Sequence, residues 1–314
     1  MKRLIIRLIL FFLPLALLFL GGEYIITQGL QKSNYNFYKE WNEITKGKVN
    51  ADVIINGSSR AWVHVSPKIL DSVLKVNAYN LGFNDLEFRA QYHKFQEYLM
   101  YNAPPKIVVQ TLDVFSLKSR DYLFDPAQYL PFFTHPSVRK CTQHSSLFSK
   151  VDFYLPLIRY FKYRSIAKLG VKEFFSPSTH PNTRYKGYKG LDRTWTTKVP
   201  QDTNMFHQEK VIPIAKYNIQ LLDRFLKECQ QQKIKVVLVY PPEFIDGQSH
   251  HINRREVMKI YQSLAKKYKV KLLDYSQDEI SHQKQLFYNV QHLNRKGAET
   301  FSKKLALDIQ KLIN

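Results

Sequence analysis

Strand-like and helix-like runs alternate along most of this chain, and that alternation limits its fold more than any other feature. Runs rich in β-forming residues lie at 52–55, 76–80, 107–112, 235–240 and 270–275. Apolar residues at helical spacing fill about 86–100, about 214–232, the stretch REVMKIYQSLAKKY, and about 296–313. A parallel neighbour requires a crossover connection, and a helix supplies one. With right-handed crossovers, five such strands imply a three-layer α/β/α domain around a central parallel sheet. At 314 residues and 44% hydrophobic content, the chain is able to bury one large core or two small ones.

Two segments break the rhythm. Residues 116–203 carry Pro126, Pro131, Pro136, Pro156, Pro177, Pro181 and Pro200 among many Phe and Tyr, and read as an aromatic-rich insertion into a domain covering 51–314. Within it, KGYKGLDRTW mixes basic and aromatic groups, either as a groove for a sugar polymer or as a packed aromatic loop. The other segment is the N-terminus, MKRLIIRLILFFLPLALLFLGG. Lys2, Arg3 and Arg7 precede an uncharged run, and 4–22 offers 19 residues, enough to cross a bilayer as a helix. Basic flanks stay in the cytoplasm. The expectation is a transmembrane signal-anchor at 1–22, a stalk at 23–50, and a single-pass protein of the cytoplasmic membrane with its C-terminal domain outside. A cleaved signal peptide is the competing reading, although no A-x-A-like site is present.

The chain has 47 Lys+Arg against 26 Asp+Glu, a formal charge of +21, which favours anionic partners. An exported domain turns that preference away from nucleic acid and towards a phospholipid surface or an acidic envelope polymer. Cys141 and Cys229 show no metal-type spacing, and either pair or remain as buried thiols.

The first strand stops at Asn56-Gly57-Ser58-Ser59-Arg60, where a parallel strand gives way to a helix. Side chains and free backbone N–H groups converge at such a place, so a serine there is able to act as a nucleophile if a base takes its proton. Equally, a serine there caps the helix. Far down the chain, FYNVQHLNRKG places His292 immediately before the last helix.

Taken together, these blocks resemble the SGNH, or GDSL-type, hydrolase superfamily, and imply its flavodoxin-like sheet. NGSSR stands where that family has its Gly-Asp-Ser-like block, putting Ser59 in the nucleophile position, and NVQHLNRKG stands for its D-x-x-H block, with His292 as base. YNLGFND resembles the second block and points to Gly82 for an oxyanion N–H. VVQTLDVFSL occupies the third but lacks Gly-x-Asn-Asp. The later strands are similar to the cell-envelope branch, which includes D-alanyl transfer proteins of lipoteichoic acid and O-acetyltransferase-like proteins of exopolysaccharide assembly.

One residue departs from the pattern: the family's acid is Asn289 here. Either His292 works with Asn289 orienting its ring, or Asp274 or Asp278 approaches, or the chemistry is lost and a binding protein remains. The resemblance implies an esterase or acyltransferase acting on an envelope glycopolymer without metal or organic cofactor. The alternative is a non-catalytic assembly factor that partners a membrane acyltransferase. Arg60 is expected to hold an anionic substrate or to lie on the surface, and Asp113 to orient a partner or cap a segment. His64, His93, His250 and His251 receive no role.

Overall fold

The computed structural model describes residues 1–84, 87–177, 180, 184–195, 211–248 and 251–313. The expected helix start at Leu86, residues 196–203 of the expected insertion, and His250 lie outside the described residues. The chain forms two compact units, one of Met1–Lys46 with Asp121–Asn182 and one of Gly47–Arg120 with Thr183–Asn314.

In chain order the elements that matter are α1 (Lys2–Lys32), α2 (Phe37–Thr45), β1 (Val53–Asn56), α3 (Ser59–His64), α4 (Pro67–Leu74), β2 (Ala78–Asn80), α5 (Phe88–Tyr101) and β3 (Ile107–Thr111). There follow α6 (Pro136–Thr142), α7 (Lys150–Tyr154), α8 (Ile158–Phe161) and α9 (Arg164–Phe175). Then come α10 (Lys216–Gln231), β4 (Lys235–Tyr240), α11 (Arg254–Tyr268), β5 (Lys271–Asp274), β6 (Phe287–Asn289), β7 (His292–Leu293) and α12 (Arg295–Ile313).

In the second unit, β1 to β5 build one parallel sheet in the order β2-β1-β3-β4-β5, the flavodoxin-like doubly wound order. Register runs straight across it, with Ile55 beside Val109, Val109 beside Val237, and Val239 beside Leu273. The pleat sends Val53, Ile55, Val109, Val237 and Val239 to one face, where they share a core with Leu70 of α4 and Phe301, Leu305 and Ile309 of α12. Those three α12 residues are spaced by four, so one helix face carries them all, at about 1.5–3 kcal/mol per side chain removed from water. Ile54, Val108 and Leu238 point to the other face, and on that side α5 and α10 meet through Phe225, whose ring lies 5.8 Å from Phe88 and 5.2 Å from Phe95.

The chain leaves β1 towards β2 in one direction and later places β3 on β1's opposite flank. This is the switch point at which doubly wound sheets form their crevice, at the carboxyl ends of the strands. Gly57 turns the chain there with φ +152°, and a Cβ at that position would lie 1.9 Å from Thr111 Oγ1. A short antiparallel pair, β6 and β7, sets Asn289 opposite His292.

In the first unit, the aromatic segment after residue 121 packs on the C-terminal half of α1. Gly29 and Gly170 let α1 and α9 cross closely, since a Cβ on Gly29 would meet the Gly170 carbonyl oxygen at 1.8 Å. Trp41 of α2 stacks on Phe132 at 5.6 Å and donates its indole N–H to Gln128 Oε1 at 3.0 Å. Helix α1 is long and apolar enough to cross a membrane, and no residue of its most apolar 18-residue window is buried. Cys141 and Cys229 are both buried free thiols.

Candidate active site

Ser59 and His292, 233 residues apart in sequence, meet at the carboxyl edge of the sheet, with Ser59 Oγ 2.9 Å from His292 Nε2. Ser59 is the first residue of α3, and His292 opens β7. On the far side of the ring, His292 Nδ1 lies 3.0 Å from Asn289 Oδ1. That oxygen also accepts the backbone N–H groups of Gln291 at 3.0 Å and His292 at 2.9 Å. Two backbone donors fix which amide atom faces the ring, so Nδ1 carries the proton and Nε2 offers its lone pair to the Ser59 hydroxyl. This is the tautomer that general-base catalysis requires.

Asn289 is the residue at Nδ1, and the two aspartates considered as substitutes are occupied elsewhere. Asp274 accepts the Ser276 N–H at 2.9 Å, while Asp278 caps the turn at Glu279–His282 and pairs with Lys304. Burial foremost, and then the nearby Arg60 charge, push His292 down to about 3, so the resting ring is neutral.

The two serines have different surroundings. Ser58 is the N-cap of α3, its Oγ accepting from Arg60 N at 3.3 Å while donating to Asp113 Oδ2 at 2.7 Å. Asp113 is buried behind the site at the end of β3, its other oxygen accepting the Phe115 N–H at 2.8 Å. Burial raises its carboxyl above the usual range, opposed by Arg60, the Ser58 hydroxyl and the Phe115 N–H. The Ser59 N–H has no acceptor among the described residues.

Arg60 and Gly82 differ from their expected uses. Arg60 is only 4% exposed: it donates to the Pro241 carbonyl, lies 3.5 Å from Glu243 Oε2, and covers the Tyr240 ring at 4.9 Å. Glu243 in turn accepts the Tyr240 hydroxyl at 2.7 Å and lies 3.5 Å from Arg254 Nε. The guanidinium is thus committed to a buried pair and faces the site as a fixed charge. The N–H of Gly82 donates to Asn80 Oδ1 at 2.8 Å, and the same Asn80 amide nitrogen donates to the Ala61 and Val65 carbonyls at 2.8 Å each, closing the end of α3.

His64, which carried no role in the sequence, is a structural partner of His292. It is fully buried five residues after Ser59, and its Nε2 accepts the N–H of Leu293, next to His292, at 3.0 Å. Its ring meets the His292 ring edge-on at 6.0 Å. Tyr288 stacks on His292 at 5.4 Å with the planes 5° apart. Among the described residues, no group of three His, Cys, Asp or Glu is placed to hold a metal ion.

Residues 184–195 run along this edge. The Lys186 carbonyl accepts the Asn80 N–H at 2.9 Å, Lys189 N donates to the Trp62 carbonyl at 3.2 Å, and the Leu191 carbonyl accepts the Arg295 N–H at 2.8 Å. Arg184 and Lys189 lie over the Trp62 ring at 4.7 and 5.8 Å, and Arg193 over Tyr288 at 5.8 Å.

No family model and no curated protein matches this chain. Three solved structures similar to it are described as an acylhydrolase, an esterase and a GDSL-like lipase. A protein assigned as an acylhydrolase, from Bacteroides fragilis NCTC 9343, is 12% identical, with 90% of this chain and 98% of that one covered and a TM-score of 0.44. The acetyl xylan esterase AlAXEase is 12% identical over 83% of this chain and 99% of its own, at 0.42. A GDSL-like lipase from Bacteroides thetaiotaomicron VPI-5482 is 10% identical over 87% and 100%, at 0.41.

Proposed function

We propose that this chain is a membrane-anchored serine esterase or acyltransferase of SGNH type, acting outside the cytoplasmic membrane on an anionic envelope glycopolymer. The observation that carries the catalytic part is the Ser59–His292–Asn289 line, with Nε2 left as the acceptor for the Ser59 hydroxyl.

The reaction follows from that line. Ser59 Oγ attacks an ester carbonyl carbon as its proton passes to His292 Nε2, and Asn289 Oδ1 holds the Nδ1–H of the resulting imidazolium. The Ser59 N–H is the donor available to the oxyanion, worth ~3 kcal/mol in the transition state. Collapse breaks the ester C–O bond, and the leaving alkoxide takes the proton from Nε2. The acyl group, now an ester of Ser59, passes to a water or sugar hydroxyl whose proton goes to Nε2; the bond from Ser59 Oγ to the acyl carbon then breaks, and Oγ takes that proton back from Nε2. Nothing in this sequence of steps needs a cofactor.

The anionic substrate is supported by the basic and aromatic segment 184–195 beside the site, since aromatic faces stack on sugars and cations meet phosphate or carboxylate. The anchor is supported by the exposed apolar half of α1. A fluorophosphonate probe should label Ser59 in the full-length chain and leave Ser59→Ala unlabelled; an unlabelled wild-type chain with intact fold defeats the catalytic reading. The full-length chain should also resist high-salt extraction from membranes, with its C-terminal part open to externally added protease.

A second reading has its own observation: Asn289 supplies no charge, and Arg60 opposes protonation of His292. Both weaken the base and favour a non-catalytic binding protein that partners a membrane acyltransferase on the same fold.

A further inference from the structure

The first unit carries a surface of one charge sign beside its long helix. The C-terminal part of α1 is held by α7–α9 and their connections. Phe19 meets Phe161 edge-on at 6.4 Å, Glu23 accepts the Leu157 N–H at 2.8 Å and pairs with Arg159, and Thr27 is hydrogen-bonded to the Tyr160 hydroxyl at 2.8 Å. These contacts gather at 19–27, where the apolar stretch of α1 ends and its buried part begins.

What this cluster leaves outside is both apolar and basic. Tyr154, Leu155, Phe161 and Phe175 are exposed at 68, 53, 51 and 72%. The exposed charged residues from 150 to 177 are Lys150, Lys162, Arg164, Lys168 and Lys172. The acids of this segment, Asp152 and Glu173, are buried, one in a capping box with Ser149 and the other against His180. On α9, Arg164, Lys168, Val171, Lys172 and Phe175 recur at three- and four-residue intervals, so cations and apolar groups share one stripe. A water-facing surface gains nothing from exposed Phe and from keeping its carboxylates inside. An interface between water and anionic lipid favours both features, because aromatic rings settle at headgroup depth while Lys and Arg meet phosphate.

We propose that α7–α9 form a collar lying on an anionic bilayer surface, with Tyr154, Leu155, Phe161 and Phe175 entering the interface at the leaflet where α1 emerges. The collar rests on the reading of α1 as a membrane span, and its test separates the two. Spin labels are attached to Phe161→Cys, Phe175→Cys, Leu13→Cys in the apolar part of α1, and Leu307→Cys on the exposed side of α12. The native cysteines are buried and remain in place. The full-length chain is reconstituted in vesicles of phosphatidylcholine with phosphatidylglycerol, and immersion depth is read from collisions with oxygen against a water-soluble nickel chelate.

The expected result is a deep label at 13, labels at headgroup depth at 161 and 175, and a water-exposed label at 307. Replacing Lys162, Arg164, Lys168 and Lys172 by Glu should move the 161 and 175 labels towards water and leave the label at 13 where it was. Labels at 161 and 175 as accessible as that at 307, with 13 immersed, overturn the collar, leave the anchor standing and assign the patch to a protein partner. A water-exposed label at 13 removes the anchor and the collar together.

Discussion

In the proposed mechanism, Asn289 is the residue on which catalytic power turns. In a serine triad, changing the aspartate to asparagine costs ~10⁴ in turnover, largely through the wrong histidine tautomer. Here two backbone N–H groups hold Oδ1 towards the ring, so the tautomer is right and only the missing charge remains to be restored. Asn289→Asp should therefore raise hydrolysis of p-nitrophenyl acetate by less than that factor, ~10–100-fold. It should also introduce an acid limb to the pH profile, because a carboxylate at Nδ1 lifts His292 from about 3 towards its ordinary range. The gain should vanish when Ser59→Ala is added, since the charge acts only through the serine. His64 makes a second, independent prediction. His64→Ala orphans the buried Leu293 N–H, at ~1–3 kcal/mol, and frees the strand that carries the base. The turnover number should fall with KM unchanged, and His64→Gln, which keeps an acceptor, should recover part of it. Ser59, His292 and Asn289 were singled out through blocks that resemble those of the SGNH superfamily; by local pattern alone Ser59 read as a helix cap and His292 as one of ten histidines. The buried place of Arg60 was not legible, because its partner Glu243 lies 183 residues away and only the fold makes their pair.

At the scale of elements, α3 depends on what holds its first turn. Ser58 caps it and also donates to Asp113, so Ser58→Ala removes a cap, ~1 kcal/mol, and leaves a buried carboxylate oxygen one donor short, ~1–3 kcal/mol more. The melting temperature should drop accordingly while Ser59 still reacts with the probe. Loss of labelling at a temperature where the variant is folded would give Ser58 a direct part in the chemistry. Strands β1, β3 and β4 stood out in the sequence because they are buried on both faces and read as nearly continuous apolar runs, VVLVY in β4 being the clearest, whereas β2 is only AYN and β5, KLLD, is half-buried between two exposed residues. The β6–β7 pair did not stand out, since strands of three and two residues have no period to detect. Helix α4 was missed for a similar reason: eight residues are too few for a pattern, and its only signal was Pro67 at the first turn. That the aromatic segment packs on α1 was not legible, because the spacing that seats Gly170 against Gly29 spans 141 positions (170 − 29) and leaves no local trace.

At the scale of the whole molecule, acid is expected to act on this chain through His64, which is fully buried, and His292, which is half-buried. His64 is held well below its ordinary range by burial first and by Arg60 and His292 after that, and His292 by burial and Arg60. Both rings are neutral in the folded state and bind protons once unfolded, so between the unfolded value near 6.5 and the depressed folded values the unfolded chain holds more protons. Stability from these groups is complete above about pH 6.5 and falls as pH drops below it, for His292 down to about 3, with a slope of up to ~1.4 kcal/mol per pH unit for each proton taken up on unfolding. The net charge of +21 already favours expansion, and self-repulsion pushes the same way as the pH falls. Thermal melts at pH 7.5, 6.5, 5.5 and 4.5 should therefore show a flat region followed by a steady decline. His64→Gln should melt lower at neutral pH yet decline less steeply, because it removes one proton-uptake site from the unfolded state. A decline of equal slope in the variant would show that His64 takes up its proton in the folded protein, and the acid sensitivity would then have to come from His292 and charge repulsion.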